Sequence, residues 1–288
     1  MSIAGTVLRL LPGSMRNAVR AWVEYRRYRR RFTSSQPRRL HTMPGELIVS
    51  LTSYPPRFAT LAYTLKSLLH QTTRPDRIVL WIASSDVASL PKAVKKLVGA
   101  DLEIRSVPDV GSYKKLVYAL QEFPSAFIAT CDDDVFYGPD WLAELVAAQA
   151  GNHELITCHR AHRVRRLADG SFGPYRDWEW DVQDAKANQP SIDLVPTGVG
   201  GVLYPPGCFA SDVTESERFL TLAPNADDLW FYWCARRKGT THLKAGMRFP
   251  LLYFAASQDH SLWSVNATGN DKWVAALLAA YGDPLRKC

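Results

Sequence analysis

The stretch FIATCDDDVFYGPDW, residues 127–141, runs an apolar, strand-like segment straight into three consecutive aspartates, Asp132, Asp133 and Asp134, and then into a Gly138–Pro139 turn. Neighbouring carboxylates repel one another and are costly to take out of water, so such a cluster is tolerated best in solvent or around a cation. What surrounds the stretch decides its place in the fold. Upstream, ELIVSLT (46–52) reads as a strand that runs into a proline-rich turn, and Phe58, Leu61, Leu65, Leu68 and Leu69 then recur at helical spacing. RPDRIVLWIA supplies a second strand, PKAVKKLV a lysine-bearing helix, DLEIRSV a third strand, and SYKKLVYALQEF a helix leading into AFIAT. Strands alternating with helices predict an α/β fold with a mostly parallel sheet and helices on both faces; ligands of such sheets sit at the carboxyl ends of strands, where the aspartates fall.

Downstream, Asp140 is placed to cap a helix over WLAELVAAQA. Residues 151–195 are irregular, IDLVPTGVGGVLYPP reads as strand, glycine turn and strand, and NADDLWFYWCARRKG opens another helix. The chain is thus expected to hold a basic arm and linker over residues 1–44 and one catalytic-sized domain over 45–288.

Of 288 residues, 47% are apolar and 22% charged, ordinary for a soluble protein, and no apolar run approaches the roughly 20 residues of a membrane span. Cysteines stand at 131, 158, 208, 234 and 288, an odd number without a C-x-x-C pair, which suits a reducing, cytoplasmic compartment. The net charge of +7 is unevenly spread: residues 1–39 hold ten arginines and one glutamate, whereas the remainder is slightly acidic. Val19, Trp22 and Val23 lie at helical spacing beside those arginines, the pattern of an interfacial helix drawn to anionic lipid on the inner face of a membrane. A solvated basic tail and, less in keeping with the pattern, a nucleic-acid arm are the other readings.

Together SLTSYPPRF, QTTRPDRIVLWIA, GSYKKLVYAL, CDDDVFYGPDWL, TGVGGVLYPP and APNADDLWF resemble a bacterial glycosyltransferase of the GT-A type, near the family 2 enzymes that build surface polysaccharides. The resemblance extends over residues 46–275 and implies a Rossmann-like GT-A fold, a nucleotide-sugar donor, a glycan or lipid-linked acceptor and a divalent cation, manganese or magnesium. It makes Asp132 and Asp134 the outer positions of a D-x-D motif on the metal and donor, with Asp133 between them, and His260 a further metal ligand. Lys115, or Lys114 in its place, faces the donor, while Gly200 and Gly201 belong to a loop beneath donor sugar and acceptor. Asp228, or its neighbour Asp227, is the base of an inverting transfer.

The residues themselves add further candidates. Thr52, Ser53 and Arg57 occupy the first strand-to-helix turn, where small polar groups and a guanidinium fork can meet a nucleotide, and Asp109 could accept from its base. Trp178 and Trp180 in DWEWD offer faces for an acceptor sugar. A nucleotidyltransferase would also use strand-end aspartates but leaves Asp227, Asp228 and the glycine loop without a task. A non-catalytic module binding lipid or nucleic acid through its basic arm explains residues 1–39 and nothing about the triplet.

Overall fold

Three apolar runs pair side by side to make the first half of a sheet: β2 (Leu47–Thr52), β4 (Arg77–Ala83) and β5 (Leu102–Val107). β6 (Phe127–Thr130), the strand that leads into the aspartates, joins β2 on its other side. The structure, a computed structural model, describes residues 13–32, 37–246, 249–255, 257 and 263–286. Among these, β7 (Leu155–Cys158), β10 (Val202–Tyr204) and β11 (Thr241–Lys244) complete a seven-stranded sheet in the order β11-β7-β10-β6-β2-β4-β5. The four strands from β5 to β6 are parallel, β10 is antiparallel to both β6 and β7, and β11 returns parallel to β7.

The sheet is apolar on both faces because helices cover both. Alternation divides β2 cleanly: Leu47, Val49 and Leu51 face one core, while Ile48 faces the other. The first core is closed by α2 (Phe58–Leu69) through Leu61, Leu65 and Leu68, by Val94 of the short α3 (Lys92–Lys95), and by Trp141, Leu142 and Leu145 of α5 (Trp141–Gln149). The second is closed by Leu116 and Val117 of α4 (Lys114–Glu122), Phe219 of α6 (Ser216–Leu222), the nearly all-buried α7 (Asp227–Lys238), and Trp273 and Leu277 of α8 (Trp263–Tyr281). This is the α/β architecture expected of the alternating elements, with the mostly parallel sheet between its helices.

The glycine segment is strand, turn and strand as read, but its two strands lie in different sheets: β9 (Leu194–Pro196) pairs antiparallel with β8 (Ala161–Arg163) in a separate two-stranded sheet, and only β10 enters the main one. The glycines therefore carry the chain from one sheet to the other. Two other local expectations are corrected. Asp140 stands at the start of α5 but caps no backbone group, because its carboxylate accepts from the Thr72 hydroxyl at 2.8 Å instead. The PKAVKKLV helix is a single turn, Lys92–Lys95.

The N-terminal helix α1 (Gly13–Phe32) lies against α2. Its inner face carries Ala21 and Tyr25, both buried, with Tyr28 and Phe32, and these pack on Phe136, Phe254 and Tyr63. Two hydrogen bonds add to the contact: the Tyr28 hydroxyl donates to the Tyr253 carbonyl at 3.2 Å, and the Ala255 N–H donates to the Glu24 carboxylate at 3.0 Å. Trp22 and Val23 are on the other face, 43% and 52% exposed. A short strand, β1 (Arg39–Leu40), pairs with β3 (Thr73–Arg74) and fastens the following segment to the end of α2.

Candidate active site

β6 stops at Thr130, and the chain beyond it is held open by its own tyrosine. The Asp132 N–H donates to the Tyr137 hydroxyl at 2.9 Å, and that hydroxyl donates to the Val199 carbonyl at 3.0 Å. The Thr64 hydroxyl on α2 grips the Asp133 carbonyl at 2.9 Å. The three aspartates are thereby presented at the carboxyl end of the parallel strands, in a cleft of about 640 Å³ that also receives the first strand-to-helix turn, the start of α4 and the start of α7.

Each aspartate has different partners. Asp133 is buried and engaged by the Ser53 hydroxyl and by Arg57 at 2.9 Å. Although it borders the cleft, its carboxylate fixes those two side chains and is not open to a donor. Asp134 lies 3.3 Å from Arg57 and accepts from the Ser257 hydroxyl at 3.0 Å; burial and Asp133 push its carboxyl up to about 7 against the pull of Arg57. Asp132 is the most accessible of the three and meets Lys115 at 3.0 Å.

Lys115 joins the two acidic clusters, its ammonium standing 3.0 Å from Asp132 and 3.1 Å from Asp227. Burial disfavours its charge, yet Asp132, Asp227 and Asp228 together hold its pKa well above the usual lysine value. Lys114 turns to the rim and pairs with the exposed Asp109. Asp227 is the first residue of α7 and not its cap; its carboxylate accepts from Ser112 at 2.9 Å, and Ala226 stands at the cap position. Asp228 opens towards the cleft and accepts from the Gly198 N–H at 3.0 Å. Burial and the adjacent Asp227 push its carboxyl up to about 7, against Lys115.

The cleft thus brings together Thr52, Ser53, Arg57, Asp109, Lys115, Asp132, Asp133, Asp134, Asp227, Asp228 and Trp180. Three expected residues lie elsewhere. Trp178 is 3% exposed and donates from its indole to the Gly173 carbonyl, so its ring belongs to the core and has no free face for a sugar. Gly200 and Gly201 do not line the cleft. A Cβ on Gly200 would come within 2.7 Å of the Arg160 Cβ, and one on Gly201 within 2.4 Å of the Trp141 indole, so these glycines serve close packing. Within this loop the glycine that approaches the site's charged groups is Gly198, where a Cβ would stand 2.6 Å from the Lys115 ammonium. His260 lies outside the described residues.

The sequence reading missed Ser112, Arg160, His162, Tyr175, Thr197 and Tyr253, all of which line the cleft. Most come from the irregular stretch after β7, where neither helical nor strand period marks a direction. Arg160 and His162 do stand in a conspicuous basic run, HRAHRVRR, the one signal that could have flagged them.

The cleft lies at the carboxyl ends of the strands of a mostly parallel α/β sheet, the place where ligands of such domains bind. Residues 54–189 match the model of Glycosyl transferase family 2, a span that includes Arg57, Lys115 and the aspartate triplet and ends before Gly198, Asp227 and Asp228. Among solved structures, one described as GalNAc-T7 with UDP, GalNAc and Mn2+ is similar at a TM-score of 0.45 and 12% identity, over 84% of this chain and 58% of that one. This chain therefore spans a little over half the length of that protein. No curated protein matches the chain.

Proposed function

We propose that the chain is a metal-dependent glycosyltransferase that moves a sugar from a nucleotide-sugar donor to a glycan or lipid-linked acceptor, with inversion. The observation that carries this reading is the Lys115 bridge. It ties Asp132 of a strand-end triplet suited to a cation and a diphosphate to Asp227, whose neighbour Asp228 is a carboxylate suited to proton abstraction in the same cleft. The family 2 match over the triplet half of the cleft supports it.

A divalent cation fits the donor set. Magnesium and manganese take oxygen ligands, often one or two carboxylates completed by phosphate oxygens and water. Asp132 and Asp134 would hold the ion, and no third acidic or imidazole ligand completes a protein-only cage among the described residues. When bound, the ion would neutralise charge on the departing diphosphate. Arg57, fixed by Asp133, faces the same end of the cleft. Asp228 takes the acceptor hydroxyl proton at its carboxylate, and Gly198 keeps that carboxylate oriented.

Hydrolysis of a panel of nucleotide sugars by the purified chain, with manganese or magnesium, tests the reading. One donor is expected to turn over, and Asp134→Ala is expected to abolish manganese-dependent UDP binding with little change in melting temperature, because the charge removed is one that burial and Asp133 already disfavour. UDP binding that is unchanged in that variant by calorimetry would remove the triplet from the donor site.

The outer face of α1 supports a seat on an anionic membrane, as at the inner surface where surface glycans are assembled. Among the described residues no helix is long and apolar enough to cross a membrane. Trp22 and Val23 are exposed there among Arg26, Arg27, Arg30 and Arg31, and Arg26 stacks over the Trp22 ring at 4.6 Å. Each arginine near an anionic surface contributes about 1 kcal/mol. Replacing those four with alanine is expected to lower affinity for phosphatidylserine vesicles by about 10²-fold or more and to flatten its salt dependence. Equal co-sedimentation of both proteins would dispose of the membrane seat.

A further inference from the structure

The cations of the cleft are unequally neutralised. Arg57 is paired with Asp133 and Asp134, Lys114 with Asp109, and Lys115 with Asp132 and Asp227. Among the described residues the ion pair of Arg160 is a loose one, 3.7 Å from Asp181, whose side chain is 43% exposed. One of its five N–H groups donates to the Thr197 hydroxyl at 2.9 Å, and its buried Nε has no hydrogen-bond partner among the described residues. An unfilled, largely desolvated guanidinium donor is costly unless something acidic meets it.

Its surroundings say where that acidic group would be. Arg160 stands on the wall formed by β8 and β9, next to Thr197, and the following residue, Gly198, donates to Asp228. Beside it the rings of His162, Tyr175 and Trp180 are in mutual contact, His162 to Trp180 at 4.7 Å and Tyr175 to Trp180 at 5.5 Å, with Trp180 37% exposed. Burial and the charge of Arg160 push His162 down to about 3, so this imidazole is neutral and leaves the positive charge of the wall to Arg160. The His162 Nδ1 accepts from the Asp181 N–H at 3.0 Å, which places the ring proton on Nε2. The wall offers one exposed ring, Trp180, backed by Tyr175 and the buried His162, with one under-satisfied cation, adjoining the carboxylate proposed to take the acceptor proton.

Resting on the transferase reading above, we infer that this wall is an acceptor subsite for an anionic saccharide: the sugar ring lies against Trp180, and a carboxylate or phosphate on it pairs with Arg160 while the attacking hydroxyl meets Asp228. The chemistry shared by the two sources is a planar or tetrahedral oxyanion matched to the guanidinium fork. A uronic acid would supply the carboxylate, and a glycosyl phosphate the phosphate.

With a donor fixed by the hydrolysis panel, transfer is measured to matched acceptors: methyl glycosides of neutral hexoses, methyl glycosides of the corresponding uronic acids, and hexose phosphates. The wild-type chain is expected to favour one charged series over its neutral counterparts by about tenfold or more in kcat/KM, the scale of one hydrogen bond to a charged group. Arg160→Gln should erase that preference through KM for charged acceptors, Arg160→Lys should restore part of it, and UDP affinity with manganese should be the same in all three proteins. Whichever charged series is preferred identifies the source. Equal use of neutral and charged acceptors, no transfer to any charged acceptor while the donor is hydrolysed, or a preference surviving in Arg160→Gln would overturn the inference. So would a parallel fall in UDP affinity, which would assign Arg160 to the diphosphate. Failure to hydrolyse any donor would instead count against the transferase reading itself.

Discussion

Asp228→Asn is expected to slow sugar transfer by about 10²-fold or more, the usual scale for loss of a general base, with little change in donor affinity. The amide keeps the oxygen that accepts from the Gly198 N–H but takes no proton. Stability should hold or rise slightly, since the variant removes a charge that burial and Asp227 already disfavour. The wild-type pH profile follows from the same shift. A base works when deprotonated, so with its carboxyl raised to about 7 the transfer rate should fall about tenfold per pH unit below that value and level off above it. In Asp228→Asn this limb should vanish. Asp227→Asn is the control: it weakens the 3.1 Å contact to Lys115, alters the Ser112 contact and removes a charge that raises Asp228, so it should lower the melting temperature and move the limb to lower pH without abolishing it. Full single-turnover activity in both variants would sink the assignment.

Lys115→Met should destabilise the fold by about 3–5 kcal/mol, the cost of removing one partner from a buried ionic cluster. Methionine nearly matches the length of the lysine stem, so packing changes little. What remains is Asp132, Asp227 and Asp228 around a site without its cation. The pH dependence has a definite sign. Carboxyls with raised folded-state pKa values bind more protons in the native than in the unfolded chain, so their contribution is fully present below the ordinary carboxylate range and is lost as pH rises through the folded value. Asp228 is such a carboxyl, and losing Lys115 raises its value further. The deficit of the variant should therefore be largest at pH 8 and shrink towards pH 5, as read by urea unfolding at both. A deficit independent of pH would mean that packing, not charge, is what the lysine provides.

The strands were legible because a parallel sheet covered on both faces demands near-continuous apolar runs, and IVLWIA or FIAT have no other economical use in a chain of this length. The side chains gathered at their carboxyl ends were legible for the same reason, since a strand's direction fixes which end carries the site. Adjacent alternatives were harder. Trp178 and Trp180 differ only in which side of an irregular segment they face, and the backbone pairing of Arg163 with Glu179 that decides it links residues without a readable period. Gly198 was hidden among three similar glycines because close approach is a property of what comes near, here the Lys115 ammonium, and not of the glycine's own neighbours in sequence. Val19, Trp22 and Val23 marked an amphipathic helix, but Tyr25, Tyr28 and Phe32, which hold it to the domain, lie inside an arginine block and are masked by it.

Helix α1 has two unlike sides. Its arginines face outward, while Glu24 and Tyr28 hold the backbone of residues 253–255, the segment whose Phe254 N–H donates to the Asp134 carbonyl at 3.1 Å and whose continuation places the Ser257 hydroxyl on the Asp134 carboxylate. Shortening the chain to a core beginning near residue 40 would therefore uncover Phe136 and Phe254 and loosen the scaffold behind Asp134 along with removing the basic surface. If the basic face seats the protein on lipid as proposed, such a protein would lose lipid attachment and donor affinity together, and the pair of defects would imitate activation by the membrane. Charge-neutral substitutions confined to Arg26, Arg27, Arg30 and Arg31 leave the inner face intact, and only they tell an anchor from a brace.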